Sequence, residues 1–147
     1  MKRKHEKNKK YVYISLAIIV LLGFFFLFKS SEDNYILLDV TEIGSDASWF
    51  EYEYEGDLIR YFVVRDRTGD IKTAFDACDV CYNSKKGYTQ DGDYMVCNNC
   101  GQRFLISELG RSNTGGCNPG YLDNFVENDF VHISVSDLER GKRYFGN

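Results

Sequence analysis

The chain has 147 residues, five cysteines, a single proline and a formal net charge of −4. That charge is split unevenly: residues 1–30 carry seven Lys/Arg against one acid, +6, and the remaining eleven Lys/Arg against twenty-one acids give −10. The acidic remainder excludes a nucleic-acid binder, which needs a basic stripe, and one proline leaves no long rigid linker.

In chain order, the first segment is a basic head, residues 1–10 (MKRKHEKNKK), followed by an uncharged run from Tyr11 to Phe28. Eighteen residues at 1.5 Å each give a helix of roughly 27 Å, about the hydrocarbon thickness of a bilayer. The run ends in Phe24-Phe25-Phe26-Leu27-Phe28-Lys29 with no small-residue cleavage site, and the first cysteine comes only at Cys78, so no lipobox is present. The pattern predicts an uncleaved signal anchor over 11–28 rather than a removed signal peptide. Basic flanks stay cytoplasmic, so the rest of the chain is expected outside the membrane. Residues 29–34 read as a polar stalk, and residues 35–147 are long enough for one domain with a modest core.

Strand signals dominate this outer domain. Tyr35 to Val40 is a short β-type run. From Trp49 to Glu55 the chain alternates, with Phe50, Tyr52 and Tyr54 on one face and Glu51, Glu53 and Glu55 on the other, the period of a half-buried strand. Gly56-Asp57 fits a two-residue turn, with Leu58 to Arg65 returning antiparallel. Asp66 to Asp70 is a second turn, and Ile71 to Phe75 a strand that delivers the chain to Cys78. Thr89 to Asp93 reads as a turn before a short strand, Tyr94 to Val96, into Cys97. Gln102 to Ile106 leaves the second cysteine pair, Ser107 to Arg111 suits one helical turn, and Ser112 to Asn128 reads as loop. Phe130 to Val135 is a final strand before a polar tail. The expectation is a mainly β protein: one transmembrane helix, then a small antiparallel β domain with little further helix.

The cysteines carry the chemistry. Cys78-x2-Cys81 and Cys97-x2-Cys100 are separated by fifteen residues, and Cys117 lies sixteen residues beyond. Two such knuckles converge four thiolates on one point, as a tetrahedral metal requires. Asp76 and Asp79 flank the first pair; carboxylates beside thiols disfavour a bare thiolate, and a bound cation reverses that penalty. Spacing alone is equally met by a structural zinc ribbon. Disulfides suit an extracytoplasmic site but leave one of five cysteines unpaired. A thiol–disulfide enzyme needs a thioredoxin-like βαβ pattern that neither pair shows. Four thiolates also suit rubredoxin-like iron or cuprous copper. Cys117, in Gly115-Gly116-Cys117-Asn118-Pro119-Gly120, is open as a replacement ligand, a contact to a cluster or a buried thiol. His132 reads as structural, and Tyr88, Tyr94 and Phe104 as packing groups that shield the site. No phosphate loop, nucleophile elbow or other catalytic constellation is present, so no enzyme is expected.

Arg60 to Val64, Thr73-Ala-Phe-Asp-Ala-Cys78-x-x-Cys81, Lys86-Gly87-Tyr88, Gly92 through Cys97-x-x-Cys100-Gly101 and Gly115-Gly116-Cys117-Asn118-Pro119 together resemble the FtrD-like membrane iron–sulfur domain family, over about residues 35–145. Gly120-Tyr121 departs from the more apolar pair expected there. The resemblance implies a membrane protein accessory to an iron-uptake system, with a membrane-protein partner and electron transfer or metal hand-over as its role. It implies an iron–sulfur cluster or iron as cofactor, and Cys78, Cys81, Cys97, Cys100 and Cys117 as the ligands. A zinc-stapled interaction module and a thiol–disulfide redox protein are the alternatives.

Overall fold

The computed structural model describes residues 34–110 and 115–146. The expected basic head, membrane span and most of the stalk lie outside the described residues. Among the described residues no helix is long and apolar enough to cross a membrane.

Among the described residues, ten strands form three antiparallel sheets. β1 (Tyr35–Asp39), β9 (Phe125–Glu127) and β10 (Phe130–Ser134) make one, in the order β1-β10-β9. β2 (Ser48–Tyr54), β3 (Asp57–Arg65), β4 (Ile71–Cys78) and β8 (Pro119–Tyr121) make the second, in that order. β5 (Tyr88–Asp91), β6 (Tyr94–Cys97) and β7 (Arg103–Leu105) make the third. Two short helices, α1 (Val135–Arg140) and α2 (Lys142–Phe145), close the chain.

The expected alternation of β2 holds: its seven residues change environment at every step, with Phe50, Tyr52 and Tyr54 turned toward the core. The hairpin turn sits one residue earlier than the spacing suggests. Tyr54 pairs with Asp57, so Glu55 and Gly56 are the turn residues, both at positive φ (50° and 84°) as a primed two-residue turn demands. Asp66 to Asp70 turns as expected, closed by the Asp66 N–H donating to the Asp70 carbonyl at 2.8 Å.

β3 and β4 are the spine because both of their faces are buried. Ile59, Tyr61, Val63, Phe75 and Ala77 face one apolar cluster, completed by Val131 and Ile133 of β10, Leu138 of α1 and Tyr144 of α2. Phe62, Val64, Ala74 and Cys78 face a second, completed by Tyr88, Met95, Cys97 and Phe104. The run Tyr61-Phe62-Val63-Val64, apolar at consecutive positions, is what a strand covered on both sides requires. Each such side chain contributes about 1.5–3 kcal/mol by leaving water.

The structure differs from expectation elsewhere as well: most of the expected Thr89–Asp93 turn is strand β5, and only Gly92 and Asp93 turn. The stretch Ser112–Asn128, expected to be loop, contains β8 and β9. The expected polar tail is helical from Val135 to Phe145, and it buries Leu138 and Tyr144. Helices of this length are not stable alone; packing against the β3–β4 spine holds them.

Candidate metal centre

Period two along β4 places Ala74, Asp76 and Cys78 on one face, so the strand that was expected to deliver the chain to the first knuckle aims the Cys78 sulfur into the second core cluster. The same rule on β6 puts Met95 and Cys97 inward, both buried. β8 pairs with the end of β4, with Pro119 opposite Cys78, and that pairing carries Cys117 to the first knuckle. Three separate segments thus meet in one place.

The sulfur atoms of Cys78, Cys81 and Cys117 all lie within 4.8 Å of one another. Cys97 Sγ is 3.7 Å from Cys81 Sγ. Cys100 is exposed and lies beside the thiols of both Cys97 and Cys117. All five cysteines are free thiols. The compact triad is therefore Cys78, Cys81 and Cys117 rather than the two knuckles alone. Cys97 adjoins it through Cys81, and Cys100 closes the solvent side.

Backbone dipoles already favour anionic sulfur here. The Cys81 N–H donates to Cys78 Sγ at 3.1 Å. At Cys97, burial pushes the thiol up, but hydrogen bonds from the Cys100 and Asn99 backbone and from neighbouring thiols outweigh it and leave Cys97 below the ordinary thiol value. The neighbours move the other way. Burial, then the Cys78 and Cys97 thiols, push Cys81 upward. Cys117 is pushed up to about 11, first by its hydrogen bond with Cys100, then by burial and Cys78. Beyond burial, the cause is mutual crowding of like groups, which a cation would relieve.

The flanking carboxylates have other roles than the expected one. Asp76 accepts the Tyr88 N–H at 2.7 Å and lies 3.7 Å from Arg60. Burial is the largest influence on it and raises its pKa. Gly87, at φ 63°, lies so close that a Cβ there would come 2.4 Å from the Asp76 carboxylate. Asp76 thereby fastens the β5–β6 hairpin, with Cys97 at its end, to the strand bearing Cys78. Asp79 fastens the other side. Its Oδ2 accepts the Gly115 N–H at 3.0 Å, its Oδ1 accepts the Tyr144 hydroxyl, and its N–H donates to the Asn118 carbonyl at 3.2 Å.

Tyr88 is buried and shields the site as expected; its hydroxyl donates to the Cys117 carbonyl at 2.5 Å. Phe104 packs edge-on against it, with ring centroids 6.3 Å apart. Tyr94 does not shield the site: it is exposed and stacks under Arg103. His132 stacks on Phe125 in the first sheet, centroids 4.6 Å apart, which agrees with a structural role. Tyr144 was missed by sequence reasoning because it sits in a segment with no apolar period, and Gly120 takes its meaning from it. A Cβ at Gly120 would come within 2.6 Å of the Tyr144 ring, so a side chain at this position of the expected more apolar pair has no room.

A small antiparallel β domain that brings cysteines from three segments together presents, as a class, a thiol cluster that could hold a metal ion. The donor set fits: soft sulfur ligands select iron–sulfur clusters, zinc or cuprous copper, and the crowded thiols want a cation. The family described as "Membrane iron-sulfur containing protein FtrD-like" matches residues 43–145, and the chain belongs to that family. No curated protein matches the sequence.

Proposed function

We propose that this chain is a single-pass membrane protein whose outer domain holds iron or an iron–sulfur cluster and serves iron uptake, as a non-enzymatic accessory, by electron transfer or metal hand-over. Membership in a family of membrane iron–sulfur proteins supports the reading, and one observation carries it: three thiols within 4.8 Å of one another, with a fourth at 3.7 Å. Tyr11–Phe28 would be the anchor, with the basic head cytoplasmic and residues 35–147 outside. Cys78, Cys81, Cys97 and Cys117 would hold the metal, with Cys100 at its exposed edge. A thiolate-bound iron centre supplies one-electron chemistry when present. The protein's own contribution is to aim N–H groups at Cys78 and Cys97, to exclude water with Tyr88 and Phe104, and to keep Cys100 accessible. The expected partner is a membrane protein of the same uptake system.

A zinc-stapled interaction module is the second reading, and the same distance admits it, since it fits a single ion of either metal. In a single-ion thiolate tetrahedron with metal–sulfur bonds of about 2.3 Å, the sulfurs stand about 3.8 Å apart, against 3.7 Å between Cys81 and Cys97.

Anaerobic purification of the full chain in detergent decides between them. Iron near stoichiometry, visible absorption and an EPR signal on oxidation or reduction are expected. A colourless protein retaining one zinc would overturn the iron reading.

A further inference from the structure

Behind the first knuckle lies a cavity of about 630 Å³, within the roughly 300–1,000 Å³ of small-molecule sites. Asp79 and Val80, the two residues between Cys78 and Cys81, form one wall together with Gly115 and Gly116. The facing wall comes from the C-terminal helices and carries Arg140 and Arg143. We propose that this cavity binds a small organic polycarboxylate, free or as its iron complex, against the outer face of the cysteine cluster.

Charge is the first reason. The domain from residue 31 onward carries −10, yet this cavity collects two guanidinium groups and one carboxylate. That carboxylate is already committed: Asp79 accepts from the Gly115 N–H and from the Tyr144 hydroxyl, and Arg143 stands 3.8 Å away. Arg140 pairs with Asp137 along its own helix, and Arg143 donates one N–H to the Tyr144 hydroxyl. A guanidinium has five N–H donors, and both side chains are about two-thirds exposed (67% and 66%), so each retains donors for an oxyanion. Arg65 in the cleft beside Gln90 offers the contrast. It spends its donors on the carbonyls of Val40, Ile43 and Gly69.

Shape is the second reason. The rings of Tyr82, Tyr121 and Tyr144 line the cavity beside Val80, so it accommodates a carbon skeleton and not only a bare inorganic ion. Arginine forks match carboxylate oxygens two at a time, and two arginines three residues apart suit a ligand with more than one carboxylate. Position is the third. The Gly116 carbonyl at the cavity wall also accepts a hydrogen bond from the Cys78 sulfhydryl, at 3.9 Å. A carried iron would thus be brought to the cluster, a part of the proposal that rests on the metal-centre reading.

The test is calorimetric titration of the full chain in detergent at fixed ionic strength with citrate, with ferric citrate and with inorganic phosphate. Metal content is measured on the same samples. One citrate per chain is expected, with phosphate binding absent. Arg140→Gln and Arg143→Gln are each expected to weaken citrate at least about tenfold, the loss of one charge-assisted contact, with an unchanged melting temperature. Tighter binding of ferric citrate than of citrate assigns the iron complex as the ligand; equal binding assigns the free acid. No citrate binding, equal binding of phosphate, or indifference to both substitutions overturns the proposal. Citrate binding retained on a protein that holds only zinc sinks the iron reading and leaves the pocket standing. Iron present without citrate binding does the reverse.

Discussion

At Asp66 one carboxylate organises a whole turn. Its Oδ1 accepts from the Thr68 N–H, the Thr68 hydroxyl and the Asp70 N–H, at 2.8, 2.7 and 3.0 Å. Its Oδ2 is buried without a hydrogen bond and lies 3.8 Å from Lys72 Nζ. Burial alone would raise its pKa, but those hydrogen bonds and Lys72 outweigh it and hold Asp66 below its ordinary 3.8. A depressed carboxylate binds fewer protons folded than unfolded, so its stabilisation is full above 3.8 and is lost as pH falls through the lower folded value. Asp66→Asn keeps the shape and removes the charge. The stability gap between wild type and variant, from urea midpoints at a series of pH values, should be constant near neutrality and close below 3.8; a gap indifferent to pH would show that the charge contributes nothing. Cys97 and Cys81 shift in opposite directions, lowered by backbone and thiol hydrogen bonds at the one and raised by burial and then neighbouring thiols at the other. The Asx turn at Asp66 and the knuckle donors Asn99 and Cys100 at Cys97 are local in the chain; the approach of Cys97 to Cys81 is not.

Among the elements, the β2–β3 hairpin was legible because alternating Phe/Tyr and Glu leaves only one face to bury. β8 was not. Three residues, Pro119-Gly120-Tyr121, carry no periodic signal, and pairing with β4 alone makes them a strand. The C-terminal helices are similar: only Leu138 and Tyr144 are buried in a segment of charged residues, too few for an amphipathic pattern. The β5–β6 hairpin was half legible; strand begins at Tyr88, and the turn shrinks to Gly92-Asp93. Its attachment is the testable point. Gly87→Ala forces a Cβ against the buried Asp76 carboxylate, at a cost of about 2–3 kcal/mol by overpacking and left-handed strain. The hairpin then separates from β4, taking Cys97 and Cys100 from the other thiols. Metal content should fall together with the melting temperature, and full metal occupancy in the variant would show that the attachment does not position the ligands.

For the whole molecule, the two apolar clusters on opposite faces of the β3–β4 spine differ in what closes them. One is closed by β10, Leu138 and Tyr144; the other has Cys78 and Cys97 among its buried members, with Cys81 and Cys117 packed against it. Loss of metal therefore exposes only the second to thiol crowding. Chelator treatment is expected to speed hydrogen exchange in residues 88–109 while β1 and β10 stay protected; uniform loss of protection would mean that metal and fold stand or fall together. The sequence by itself determined the antiparallel β character, the hairpin, the thiol chemistry and the family, because alternation, C-x2-C spacing and short motifs are local and survive in one dimension. Tertiary structure set Cys117, which the residues alone left open and the resemblance only implied as a ligand, beside Cys78 and Cys81, and it alone decided that Asp76 and Asp79 fasten loops and that two arginines of the tail line a pocket behind the knuckle. Those placements come from strand pairing and burial between segments tens of residues apart, and only a closed core brings such segments together.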